Sequence, residues 1–473
     1  MTESQTVLGH VLVLGMGMTG EYVARYCAAL LGSRVLSVTL YGGARSTQGD
    51  TSEALTAQGV HCVLGSEAVE GSYDLCIASP GISEFSPFFV AAKNCSKEII
   101  SEPEFAWRES PRNWIAITGT NGKTTTTSLT TAILHEGQRK ATSVGNIGFL
   151  ATKALTGRAD DEWFVAELSS FQLACCKTLH PRVAMLLNVT PDHIAWHKSI
   201  ENYAAAKERI FANLEAGDLA LISDSDMWCC AIAERLQARN LRVCLLDPAH
   251  DAGSPCAAFV RAGQLVVRLD GTEHLLVHAN ELQIKGEHNL ADALAAAAAA
   301  LELGIDVEAV NRCLKSFHPL EHRIEPCGEL KGIHFVNDSK ATNVDATEKA
   351  LAAFAPGSLV LLLGGHDKGT DLDELSHLVV KTCAGVVCFG EAGPRFAKAI
   401  GAQLRNNSAL SLRTVAHLAD AVDAAWELAH NGQYILLSPA CSSFDEFSGF
   451  EERGRAFKDL VARLIAAGGL QHE

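Results

Sequence analysis

Short apolar runs alternate with amphipathic segments along the whole chain, and most of the runs end in glycine, proline or small polar residues. "HVLVLGMG" reads as a strand entering a glycine turn, with Thr19–Leu31 as the helix that follows. "DLCIASPGI" is a strand stopped at Pro80–Gly81, and "NWIAITGTNGK" is a strand that runs into a glycine loop and then a threonine-rich helix. "WFVAELSS" and "VAMLLNVTPDH" repeat the strand-to-loop transition, as do "SLVLLLGGHDKG", "GVVCFGEAG" and "QYILLSPACSS" further on. Continuous apolar runs alternating with helical patterns predict parallel sheets covered by helices, an α/β fold. In such sheets ligands gather beyond the carboxyl ends of the strands. Most of the chemically suggestive residues of this chain fall at those ends.

At 473 residues the chain exceeds a single core, and about 150 residues per domain predicts three domains. "SEPEFAWRESPRN" brings two prolines before a fresh strand, which sets a boundary near 110. "KSFHPLEHRIE" has Pro319 between two unlike regions, which sets another near 317. Between about 217 and 285, "AAFVRAGQLVVRLDG" and "HLLVHANEL" suggest a small antiparallel elaboration of the middle domain. The most apolar stretch, "LADALAAAAAALELG", is interrupted by Asp292 and Glu302. It predicts a buried helix and not a membrane span.

The net charge of −16 argues against nucleic acid as a partner, because phosphate neutralisation needs a basic face. Small anionic substrates remain open, since a few local Lys, Arg and backbone N–H groups can hold them. The 15 cysteines are scattered without a C-x-x-C, which fits free thiols in a reducing cytoplasm. "MTESQTVLGH" lacks the basic start of a signal peptide. A cytoplasmic protein outside the membrane is the expectation.

The loop "TGTNGKTT" carries the first specific chemistry. A glycine turn feeding a helix aims backbone N–H groups at one point, and the helix end adds about half a positive charge. Lys123 would bridge phosphates there, and the Thr124 hydroxyl could reach Mg²⁺. The usual phosphate loop is G-x-x-x-x-G-K-[ST]. Here only Thr120 and Asn121 separate Gly119 from Gly122. This shorter loop resembles that of the Mur ligase and folylpolyglutamate synthase superfamily, whose members use ATP to join a carboxylate to an amine.

Activating a free carboxylate through an acyl phosphate requires Mg²⁺, cations over the moving phosphoryl group, and exclusion of water. Glu167, at the end of "WFVAE", is either a solvated carboxylate or a metal ligand. Asp192 and His193 follow another strand in "NVTPDH". Lys207, in "ENYAAAKERIF", reads from composition as a surface lysine. The resemblance implies otherwise: the matching lysine of the superfamily reacts with CO₂ to give a carbamate that ligates metal.

Five further motifs narrow the resemblance: "AELSSFQL", "NVTPDHIAWH", "NDSKATNVDAT", "LLLGGHDKG" and "LSPACSSFDEFSGFEERG". They are similar, in family order, to the branch of the Mur ligases that adds D-glutamate to UDP-N-acetylmuramoyl-L-alanine. The resemblance runs from Gly15 to about Gly454. It implies an α/β protein of three domains: Rossmann-like for the UDP-substrate at 1–110, a central P-loop-type ATP domain with a parallel sheet at 111–317, and Rossmann-like for the amino acid at 318–473.

The resemblance also implies site residues. Gly119, Thr120, Asn121, Gly122, Lys123, Thr124 and Thr125 would hold ATP, with Asn289 at adenine and Arg323 and Asp338 at phosphates and ribose. Thr124, Glu167, His193 and the carbamate of Lys207 would serve the metal, and Lys123, Glu167, His193 and Lys207 the chemistry. Gly17, Met18, Thr19, Arg45, Ser79, Asn146 and His193 would face the UDP-sugar. Lys340, Thr342, Lys368, Ser443, Phe444 and Phe450 would frame D-glutamate, whose two carboxylates suit two lysines. The set is divided between domains, so closure at a hinge near Pro319 would couple binding to catalysis. The implied enzyme is a cytoplasmic monomer of peptidoglycan precursor synthesis.

Two stretches depart from the family pattern. "GMGMTG" is also a dinucleotide fingerprint, which suggests an NAD-type redox protein as the alternative. Both readings expect an acidic residue after the second strand, and "VLSVTLYGGARST" has none. Arg45 is the candidate for the missing contact. Asp292 stands where relatives often have Asn. A sister Mur ligase or a folylpolyglutamate synthase is the nearer alternative.

Overall fold

The computed structural model describes residues 7–284, 286–318, 321–352, 354–367, 369–404 and 410–468. Lys368 and Pro319 lie outside them. The chain divides into two compact units. One comprises the residues up to Leu282 with Asn289–Phe317, and the other Gln283–His288 with the residues from His318 onward.

The first unit holds two sheets. Strands β1 (Gly9–Leu14), β2 (Val35–Tyr41), β3 (Val60–Val63), β4 (Leu75–Ala78) and β5 (Ile99–Ser101) form a five-stranded parallel sheet in the order β3-β2-β1-β4-β5. The order reverses between β1 and β4, and this switch point opens beyond Leu14 and Ala78. The helix after β1 is Met18–Ala28 and ends before the expected Leu31. A turn ends it: Arg34 and Val35 both donate their N–H to the Leu30 carbonyl, and Gly32 takes a positive φ.

The second sheet has nine strands: β6 (Trp114–Thr118), β7 (Ala141–Gly145), β8 (Trp163–Glu167), β9 (Val183–Leu186), β10 (Leu219–Ser223), β11 (Arg242–Leu246), β12 (Ala257–Arg261), β13 (Gln264–Leu269) and β14 (Thr272–His278). Their order is β14-β13-β12-β11-β10-β9-β6-β8-β7. β6 lies inside the sheet between β9 and β8, and every residue of "WIAIT" is buried, which explains why it shows no alternation. The β-rich segment near 257–278 forms two antiparallel pairs, as its hairpin spacing suggests. It does not form a layer of its own; β12 pairs in parallel with β11 and extends the central sheet. The alanine-rich stretch lies in helix Glu287–Glu302, with Ala293 through Ala300 fully buried. Among the described residues no helix is long and apolar enough to cross a membrane.

The second unit contains β15 (Glu325–Leu330), β16 (Ile333–Asn337), β17 (Leu359–Gly364), β18 (Cys383–Phe389), β19 (Ser411–Thr414) and β20 (Tyr434–Leu437). The order is β15-β16-β20-β17-β18-β19, parallel apart from the antiparallel β15–β16 pair. Helices cover both faces, with Phe396 in one core and Phe457 in the other.

Glu104 fastens the five-stranded sheet to the nine-stranded one. It lies in helix Glu102–Glu109, directly after β5, and is fully buried. Its carboxylate accepts from the backbone N–H groups of Lys177, Thr178 and Leu179, from the Thr178 hydroxyl and from Arg108. Removing it would take the acceptor from three backbone N–H groups, that of buried Leu179 among them, and leave Arg108 paired with Glu98 alone, a loss of about 3 kcal/mol. Glu104→Ala is expected to lower the first urea transition accordingly, read by tryptophan fluorescence, while Glu104→Gln retains part of the difference.

Candidate active site

The phosphate loop bridges β6 and helix Lys123–Glu136. Gly122 caps the helix at φ +83, a left-handed conformation that suits glycine. The loop is held from the neighbouring strand end. Thr120 donates its N–H to the Asn188 carbonyl, and Asn121 donates to Asn188 Oδ1 at 2.8 Å. The Thr120 hydroxyl meets the Thr190 carbonyl and the Tyr203 hydroxyl at 3.1 and 3.0 Å. Thr124 is half-buried and Thr125 buried in the first helical turn.

Two lysines converge on one loop oxygen. Lys123 Nζ donates to the Gly119 and Thr120 carbonyls at 2.8 Å each, and Lys207 Nζ donates to Gly119 O at 2.7 Å. Lys207 is therefore not a surface residue; it is fully buried in helix Ile200–Glu208. Its Nζ lies 4.5 Å from the Tyr203 ring centroid, one turn back on the same helix face. Burial, and then the nearby charge of Lys123, push the Lys207 amine well below the ordinary lysine range. An amine held unprotonated is a nucleophile.

Glu167 closes β8 and pairs in register with Ile117 of β6. Its Oε1 accepts from Asn146 Nδ2 at 2.8 Å, and Asn146 N–H donates to the Glu167 carbonyl. Glu167 Oε2 is buried with no hydrogen-bond partner. A bare carboxylate oxygen beside a phosphate loop suits a hard cation. Among the described residues no three His, Cys, Asp or Glu side chains gather around a metal position. A cation at Glu167 would complete its shell with hydroxyl, phosphate or water oxygens, which Mg²⁺ accepts.

His193 is exposed at φ +55, its ring 4.7 Å from Phe171 and its Nε2 3.4 Å from Asp192 Oδ2. Behind it, buried His197 meets the Ser170 hydroxyl at 2.9 Å and stacks on Phe171. At the other sheet, a Cβ on Gly15 would lie 2.9 Å from Ser79 Oγ, and one on Gly20 would lie 1.8 Å from Gly15 O. The "GMGMTG" turn thus packs tightly against Ser79, whose hydroxyl oxygen is buried without a partner. Gly17 caps the following helix without a side-chain bond, Met18 is 71% exposed, Thr19 is half-buried, and Arg45 is exposed in the loop after β2. Asn289 is buried in the first turns of helix Glu287–Glu302.

In the second unit Asp338 follows β16 and is buried. Its Oδ2 accepts from Ser438 and its Oδ1 from the Ile324 N–H. Burial pushes its carboxyl up to about 7. Arg323 is half-buried between His322 at φ +66 and Ile324 at φ +44. A β-branched residue there is strained, and the bond from Ile324 N–H to Asp338 Oδ1 helps to hold the backbone beside Arg323. Lys340 Nζ lies 4.8 Å from the Phe450 ring centroid, Ser443 is buried, Thr342 is half-buried and Phe444 is exposed. Arg453, fully buried, joins these loops by donating to Ser339 Oγ and to the carbonyls of Ser339, Cys441 and Ser442.

Sequence reading missed Tyr203, Asn188 and Arg453. The i, i+4 spacing of Tyr203 and Lys207 could have pointed to the first. Asn188 and Arg453 act on backbone groups distant in sequence and leave no local pattern.

Burial pushes His197 from the ordinary 6.5 down to about 4. The unfolded chain therefore takes a proton near pH 6.5 that the folded state refuses until about pH 4. Its contribution to stability is complete above pH 6.5 and is lost as the pH falls to about 4. His197→Phe is expected to flatten that part of the stability–pH curve, measured by urea unfolding at several pH values.

Residues 117–300 match the Mur ligase middle domain and residues 322–441 the Mur ligase glutamate ligase domain. The UDP-N-acetylmuramoylalanine–D-glutamate ligase of Acidobacterium capsulatum is 37% identical over 98% of this chain and 98% of its own. That of Alkaliphilus oremlandii is 35% identical over 96% and 98%. Among solved structures, the MurF ligase from Thermotoga maritima in complex with ADP superposes with a TM-score of 0.57 at 17% identity, covering 84% of this chain and 97% of that one, a likeness of fold. At this identity over nearly the full length, the chain belongs to the UDP-N-acetylmuramoylalanine–D-glutamate ligase family of the Mur ligases.

Proposed function

We propose that the chain is a cytoplasmic, monomeric ligase that uses ATP to join D-glutamate to UDP-N-acetylmuramoyl-L-alanine in peptidoglycan precursor synthesis. Its domains are 1–110 for the UDP-substrate, 111–317 for ATP and 318–473 for the amino acid. The observation that carries the reading is the buried Lys207 amine bonded to the phosphate-loop carbonyl of Gly119. The name shared by the two full-length relatives supports the choice of substrates.

In this reading the N–H groups of Gly119–Thr125, with Lys123, hold the triphosphate. A carboxylate oxygen of the alanyl end attacks the γ-phosphorus, ADP leaves, and an acyl phosphate forms. The D-glutamate amine then attacks the acyl carbon, phosphate departs, and the amine loses its proton. Lys123 offsets the charge that spreads over the moving phosphoryl group. Thr124, Glu167, His193 and the Lys207 carbamate would hold Mg²⁺, which would supply Lewis acidity at the phosphates. The carbamate forms when the neutral Lys207 amine adds to CO₂ and releases one proton. Asn146 orients Glu167 and faces the sugar substrate, with His193, Ser79, Arg45 and the turn at Gly17, Met18 and Thr19. Asn289 meets adenine, and Arg323 and Asp338 the phosphates and ribose. Lys340, Thr342, Lys368, Ser443, Phe444 and Phe450 receive D-glutamate.

The direct test is ADP release with Mg²⁺-ATP and UDP-N-acetylmuramoyl-L-alanine. Parallel arms contain D-glutamate, L-glutamate, diaminopimelate, L-alanine or no amino acid. Release only with D-glutamate is expected; release with another amine would keep the ligase chemistry and overturn the amino-acid assignment. Lys207→Ala is expected to lower kcat on the order of 100-fold, with partial rescue by acetate or formate standing in for the carbamate. Turnover near wild type would remove Lys207 from the mechanism.

A further inference from the structure

The segment that follows β9 is held from two sides. Asn188 and Thr190 grip the phosphate loop. Asn188 accepts from the Thr120 N–H through its carbonyl and from the Asn121 N–H through Oδ1, and its Nδ2 donates to the Asn121 carbonyl at 3.2 Å. The Thr190 N–H donates to the Thr120 hydroxyl at 3.0 Å, and the Thr190 carbonyl accepts from that hydroxyl at 3.1 Å. Val189, between them, is bonded elsewhere. It is 2% exposed, and its N–H donates to Asp226 Oδ2 at 3.1 Å.

Asp226 stands between β10 and helix Met227–Ala238, and it caps that helix. Its Oδ1 accepts from the Cys229 N–H at 2.8 Å. One carboxylate therefore serves two backbone donors from distant parts of the chain. The cap is the ordinary duty of an aspartate before a helix, and one oxygen fulfils it. The second oxygen is spent on Val189, a buried donor that is costly to leave without an acceptor.

The route from Asp226 to the nucleotide loop is short. It passes through one N–H to Val189, and from the two neighbours of Val189 to Thr120 and Asn121, the residues between the loop glycines. A phosphate loop binds through N–H groups whose directions are set beforehand. With its outer bond removed, the 188–190 segment would let those directions vary, and ordering them again would weaken binding.

We infer that Asp226 is a positioning residue for the nucleotide: its Oδ2 holds the 188–190 segment in the conformation that fixes the phosphate loop, a role that rests on the ATP reading of that loop. Asp226 itself need not touch the nucleotide.

The two bonds of the carboxylate can be separated. A carboxylate offers two acceptor oxygens and an amide only one. In Asp226→Asn the oxygen can keep the cap, while the NH₂ group meets the Val189 N–H donor against donor. Asp226→Ser also keeps a cap and is too short to reach Val189 at the same time. Asp226→Ala loses both bonds. The test is calorimetric titration of Mg²⁺ with β,γ-imido-ATP into the full chain and the three variants, with thermal unfolding of the same samples. All three substitutions are expected to weaken binding by about tenfold. Melting temperature should rank differently, lowest in Asp226→Ala, which alone loses the cap. In turnover the KM for ATP should rise by the same factor, while that for D-glutamate stays within about twofold. Affinity near wild type in Asp226→Asn and Asp226→Ser, affinity that ranks with melting temperature, or equal rises in both KM values would overturn the role of Asp226. Failure of the wild-type chain to bind the nucleotide would instead overturn the ATP reading, and the inference with it.

Discussion

The central site depends on the Gly119 carbonyl, which accepts from two lysine side chains, Lys123 and Lys207. Two ammonium groups on one oxygen would repel, and burial disfavours a charge on Lys207 further. The conflict is relieved when Lys207 gives up its proton, and the site thereby gains an amine ready to react. Tyr203 shapes this arrangement from both sides. Its ring lies under the Lys207 amine, and its hydroxyl meets Thr120 of the loop. Loop position and lysine reactivity are consequences of the same packing.

The same economy governs the carboxylates. Glu167 has one oxygen on Asn146 and the other bare, which fixes the side chain while leaving a position for a cation. Asp292, from helix Glu287–Glu302, lies against the start of the phosphate helix and accepts from the Thr126 hydroxyl. Acid and base are thus divided around one helix end, and the field there is set by which of them is charged.

In the second unit a buried guanidinium does comparable work. Arg453 satisfies carbonyls from the loop after β16 and the loop after β20, so Asp338, Lys340 and Ser443 are carried on backbones that one side chain holds together. Burial pushes Arg453 down to about 10, still charged at neutral pH. Removing that charge would leave four backbone or hydroxyl acceptors without their donor.

The α/β class, the strand ends and the phosphate loop were legible in the sequence because each is a local pattern: apolar runs, glycine turns, a lysine beside a threonine. Glu167, Asp192 and His193 were legible as positions beyond strands, and the family motifs supplied their roles. The extension of the central sheet by β12–β14 was not legible, since strand pairing depends on which edge is free. Lys207 read alone as a surface residue, because neither burial nor the Gly119 contact is encoded near it; the two residues are 88 positions apart. The sequence by itself determined the elements, the family and the identity of the reactive groups. Only the tertiary structure decided their charge and orientation, because those follow from desolvation and from hydrogen bonds between segments far apart in the chain.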